Sequence, residues 1–187
     1  PVNIAPLNFC MADEKALLID AVVADNQGNS LHSQGDESLD FDIDDWHQIL
    51  DNNRGKKLTV TVSAKYEDGW HTYRPFSILV SNDSIDYGIC YRLIEPGYEV
   101  WSKMGIYERD LSSFDERALI ENTQFEGCVN CHSFNRGNSA DMSIHVRGPH
   151  GATLLRSNGG DFTAYNTKTA ETLGLCVYPY WHPSGRY

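Results

Sequence analysis

The chain has 187 residues and a formal net charge of −11, from 15 Lys and Arg against 26 Asp and Glu. That balance argues against nucleic acid, whose phosphates need clustered cations, and against an anionic membrane surface. The longest apolar run, Leu17 to Ala24, is broken by Asp20, so no segment approaches the roughly 20 apolar residues of a membrane span. The first residue is Pro1, which suggests a processed or trimmed polypeptide, so the missing signal peptide says nothing about export.

The first hundred residues read mostly as strands. Ala16–Asp25 is a candidate strand ending in a polar turn at Asn26–Asn29. Leu58–Tyr66 alternates, with Leu58, Val60, Val62 and Ala64 on one face, the period of a half-buried strand. Asp68-Gly69 predicts a turn, and Tyr73–Ser81 the returning strand. Ile85–Glu95, a turn at Glu95–Glu99 and Val100–Glu108 predict another pair. One helix interrupts them at Asp42–Gly55, where Trp46, Ile49 and Leu50 share a face and acidic residues crowd the front.

Ser113 stands three residues before Glu116, a capping-box pattern that predicts a short helix over Phe114–Glu121. This helix would deliver the chain to Cys128-Val-Asn-Cys131-His132, with Asn135–Ser139 as a loop. Short antiparallel strands follow at Ser143–Gly148, Ala152–Ser157 and Asp161–Thr167. The pattern predicts a mainly β chain. Residues 1–112 form an immunoglobulin-like β-sandwich, residues 113–138 a helix and C-x-x-C-H linker, and residues 139–187 a segment of β-hairpins.

Five cysteines are present. Cys10, Cys90 and Cys176 lie outside the motif and read as small buried hydrophobes. Cys128, Cys131 and His132 form C-x-x-C-H, the pattern of c-type haem attachment. Two thiols at this spacing can reach the two vinyl groups on one edge of the macrocycle, and the adjacent imidazole can bind the iron. Zinc, a redox dithiol and a chance pattern are the alternatives. Cys128, Cys131, His145 and His150 make a formal Cys₂His₂ set, but Pro149 and its flanking glycines deny the histidines a helix. No βαβ pattern precedes the motif, as a thioredoxin-like dithiol would require.

Met142, His145 and Met104 are candidate sixth ligands, with His150 behind them. In an extended strand Met142 and His145 point to opposite faces. The aromatics of Asp68–Phe76 could form a sugar-stacking platform, but read more simply as strand and core residues.

Several segments resemble a Bacteroidetes family of exported proteins: Asn3–Phe9, Tyr91–Leu111, Gly127–Phe134, Met142–Gly148 with Gly151–Leu155, and Val177–Tyr187. That family is similar to TolB and WD40-like propellers in its C-terminal half. It carries a sandwich-like N-terminal region and a single haem motif ahead of the propeller. Trp181-His-Pro-Ser-Gly185 is similar to the signature that opens a propeller strand. The resemblance implies haem c on Cys128, Cys131 and His132, and a periplasmic or cell-envelope location, with a lipoprotein form before processing. It also implies a propeller of which residues 139–187 supply about one blade of roughly 40–45 residues, truncated here. The expected function is an exported cytochrome-like module for electron transfer or redox sensing with a redox partner protein. The alternatives are an envelope scaffold that binds glycan or protein through structural cysteines, and a zinc or dithiol site.

Overall fold

A computed structural model describes residues 1–94, 103–172 and 174–187. The chain divides into two compact units: Pro1–Gly88 with Asp110–Asp115, and Ile89–Arg109 with Glu116–Tyr187. Both are built from antiparallel sheets, so the chain is mainly β as its patterning predicts. No closed barrel or propeller forms among the described residues.

In the first unit, β2 (Leu18–Ala24) pairs with β3 (Ser30–Gly35) on one side and β5 (Lys57–Tyr66) on the other. The alternation in β5 buries Leu58, Val60, Val62 and Ala64. Its returning partner is broken in two. β6 (Gly69–Thr72) pairs with one end of β5 and β7 (Phe76–Leu79) with the other. Pro75 lies in the break and has no N–H to give the ladder. A two-stranded ribbon, β1 (Phe9–Cys10) with β4 (Ser38–Leu39), and the helix α1 (Ile43–Asn52) complete the unit. Leu39, Trp46, Ile49 and Leu50 share one core with Ile19, Ala21 and Val23 of the sheet. Asp42 caps the helix by accepting from the N–H groups of Asp44 and Asp45.

The second unit contains two sheets around one core. β8 (Gly88–Ile94), β9 (Met104–Asp110) and β10 (Glu116–Glu121) form the first, in the order β10-β9-β8. The predicted turn at Glu95–Glu99 lies outside the described residues. The predicted helix at Phe114–Glu121 is instead β10. Ser113 Oγ accepts from the N–H of Asp115 in a local turn, and the following residues pair with β9 from Glu116↔Arg109 to Glu121↔Gly105. A reciprocal capping box does occur later, between Glu121 and Gln124 at a single 3₁₀ turn.

The second sheet runs β11 (Cys128–Asn135), β12 (Asn138–Arg147), β13 (Ala152–Arg156), β14 (Thr163–Tyr165), in chain order. Met104, Ile106, Ile120, Val129, Met142 and Ile144 are among the side chains that fill the core of this unit. Arg136 and Gly137 join β11 to β12 with φ of 55° and 79°, the paired positive angles of a tight hairpin turn.

Glu108 is a carboxylate only 6% exposed. Burial alone would push its pKa up. Hydrogen bonds from Ser139 and Arg117, and the charges of Arg117 and Arg156, more than offset that and hold it below the ordinary 4.5. Folded Glu108 therefore binds fewer protons than unfolded Glu108 near that pH. Its contribution is complete above the unfolded pKa and is lost as pH falls through the lower folded value. Glu108→Gln is expected to cost about 1–3 kcal/mol near pH 7. The gap between wild type and variant should close as the solution is acidified below about pH 4. Urea midpoints across that range check it, and a gap independent of pH would remove the charge from the explanation.

Candidate functional site

The C-x-x-C-H residues do not lie in a linker. They form the first half of β11, which among the described residues pairs with β12 alone and so is an edge strand. The ladder aligns Cys128 with Arg147, Cys131 with His145, His132 with Ile144 and Phe134 with Met142. Three steps on β11 match two on β12 between the cysteines, so a bulge sits inside the motif. Opposed residues share a face and successive residues alternate. Cys131 therefore shares a face with His145, and His132 shares the other with Ile144, whose side chain belongs to the core.

The two faces differ chemically. Cys131 is 4% exposed, and Arg147 Nη2 donates to its Sγ at 3.1 Å. The same guanidinium donates to the Tyr178 hydroxyl at 2.7 Å and lies over that ring, 5.2 Å from its centroid. Beside it, His145 Nδ1 meets Thr153 Oγ1 at 3.1 Å. Burial, then the charge of Arg147, hold the His145 pKa below its ordinary value, so the ring is neutral at pH 7. Cys128, opposite Arg147 in the ladder, is partly buried against the core. On the other face the His132 ring lies 5.1 Å from that of Phe134. His132 Nδ1 is 3.0 Å from the Asn130 carbonyl oxygen. A carbonyl only accepts, so Nδ1 donates, and in the neutral ring the lone pair is on Nε2. The Asn130 side chain accepts from Arg92 of β8.

Among the candidate sixth ligands, Met142 shares the face of β12 that carries Ile144, the partner of His132. Met142 and Met104 are enclosed in the core and His145 lies on the opposite face. The Cys₂His₂ set is not assembled. Among the described residues, no group of three or more His, Cys, Asp or Glu is placed to hold a metal ion. All five cysteines are free thiols. Cys90 packs on the core, and burial followed by the Glu108 charge raises its pKa to about 11. Cys10 and Cys176 are exposed, contrary to the expectation that all three are buried. Cys10 lies in a two-residue strand, and Cys176 outside any strand. The aromatics expected in the first core also turn outward: Trp70, Tyr73 and Phe76 are exposed along the β6–β7 edge.

Sequence reasoning missed Arg147, Thr153 and Tyr178. The alternation of Ser143, His145 and Arg147 was the available signal for a shared face, and only the fold brings Tyr178 to it.

The donor chemistry suits a haem: two free thiols and an imidazole whose neutral tautomer, set by the Asn130 carbonyl, offers Nε2. The paired strand does not suit it, because Cys131 and His132 address opposite faces of one sheet. Fold and site thus define a mainly β chain with a C-x-x-C-H motif on the edge strand of a four-stranded meander. Comparisons with protein families, curated proteins and solved structures find no match.

Proposed function

We propose that this chain is an exported c-type cytochrome-like module for electron transfer or redox sensing, with haem on Cys128, Cys131 and His132. The observation that carries the reading is the donor set: free thiols three positions apart, followed by a histidine whose Nδ1 is fixed by Asn130. A bound haem would supply one-electron iron chemistry, tuned by burial and by the second axial ligand. The chain supplies the two thiols, the imidazole and the carbonyl that sets its tautomer. Because the paired strand separates Cys131 from His132, the reading requires residues 131–132 to leave the β12 ladder. An edge strand can do so without opening the β12–β13 pairing. Haem attachment outside the cytoplasm and the family resemblance support a periplasmic or cell-envelope location.

A second reading is an envelope scaffold with structural cysteines, and the Arg147–Cys131 hydrogen bond favours it. One experiment separates them. The chain is exported from cells carrying a haem-maturation system that loads a control cytochrome, and its alkaline pyridine spectrum is recorded. The haem reading expects a covalent haem band that vanishes in Cys128→Ala/Cys131→Ala. Wild-type protein without the band, beside a loaded control, sinks that reading and leaves the scaffold.

A further inference from the structure

The face of the meander that holds Cys131 also floors a cleft of about 530 Å³, closed by the segment after Cys176. Its walls are aromatic: Tyr165 from β14, then Trp181 and Tyr187. Trp181 is held by its Nε1, which donates to the Ser133 carbonyl at 3.1 Å. At the floor stands Ser143, 3% exposed, whose hydroxyl has no hydrogen-bond partner. A buried hydroxyl left unpaired costs about 1–3 kcal/mol, and rotation of this side chain toward the cleft would let a ligand hydroxyl remove that cost. Asn166 lies at the rim with its Oδ1 occupied by the Lys168 N–H, which leaves its NH₂ to donate. Arg186 is the cationic side chain of the lining, which contains no Asp or Glu.

We propose that the cleft binds a saccharide unit bearing a carboxylate, such as a hexuronate or a sialic acid. The aromatic walls offer apolar surface to the C–H faces of a sugar ring, and a few convergent polar groups fix its orientation. Arg186 meets the carboxylate, because its planar fork matches two carboxylate oxygens. Ser143 and Asn166 take ring hydroxyls. A neutral sugar would gain the walls and the floor but leave Arg186 unpaired.

Calorimetric titration of the 187-residue chain tests this with tetragalacturonate and sialyllactose against galactotetraose and lactose. At least one acidic probe is expected to bind about tenfold or more tightly than its neutral counterpart. Arg186→Ala should erase that preference. Arg186 is exposed, so the variant is expected to fold. Ser143→Ala should weaken all sugars several-fold, with folding confirmed by a thermal midpoint no lower than that of the wild type. Equal affinity for acidic and neutral probes, an acidic preference that survives Arg186→Ala, or no binding to a folded chain would overturn the proposal.

Discussion

Trp46→Ala is expected to destabilise the first unit by about 3–5 kcal/mol, the range for deleting a large buried aromatic. Trp46 is 1% exposed and sits at the centre of that unit's core. Its ring lies 5.7 Å from that of Phe41, and its Nε1 donates to the Ile4 carbonyl at 3.2 Å. The substitution therefore removes three things together: apolar volume between α1 and the sheet, an aromatic contact, and the donor that holds the N-terminal segment. Domains are commonly stable by only about 5–15 kcal/mol, so the unit would be left marginal. Trp46→Phe keeps most of the volume and loses the donor, so it should cost less than half as much, about 1–2 kcal/mol. Urea unfolding followed by far-ultraviolet circular dichroism distinguishes the two. Equal losses in both variants would assign the effect to the hydrogen bond rather than to packing.

The legibility of the sequence follows from how local each signal is. β5 and α1 were readable because each buries a single face, and the period of that face is written in consecutive residues. The strand at Glu116–Glu121 was not, because the Ser113–Glu116 spacing is a local helix signal. What decides the segment is pairing with Arg109 and its neighbours on β9. The same holds for the returning strand after Asp68-Gly69. The turn was visible, but the split into β6 and β7 depends on where Pro75 falls against a partner strand.

The site shows the limit more sharply. The identity of its donors is local, so C-x-x-C-H could be read directly. The direction each donor points is not local, because it depends on the register with β12 and on the bulge. The cleft beside it was invisible for the same reason. Ser143, Tyr165 and the segment that carries Trp181 and Arg186 are distant in the chain and become neighbours only when the meander forms.

Gly127→Ala is expected to cost about 3 kcal/mol or more and to open the start of β11. A Cβ at this position would lie 2.0 Å from the Arg147 carbonyl oxygen, a backbone atom that cannot rotate away. Gly148, with φ +127°, packs close to the Gly127 Cα from the other side. The two strands therefore touch where Cys128 meets Arg147, the first pair of the ladder. Overpacking of about 1–3 kcal/mol is common where side chains can adjust, and here the obstacle is main chain. Gly137→Ala is the control. Its Cβ would meet nothing within 4 Å, so its cost is the strain of φ +79° alone, about 1–2 kcal/mol. Denaturant midpoints should fall further for Gly127→Ala, and thiol labelling of Cys131 should accelerate in it but not in Gly137→Ala. Equal behaviour of the two variants would mean that close strand approach does not hold the motif in place. The pair also bears on cofactor attachment. If haem is captured by residues released from the ladder, Gly127→Ala weakens only the paired state and the covalent band survives in full. A variant that loses the band together with its stability would show that the paired strand, with Cys131 beside Arg147, is the form that the motif needs.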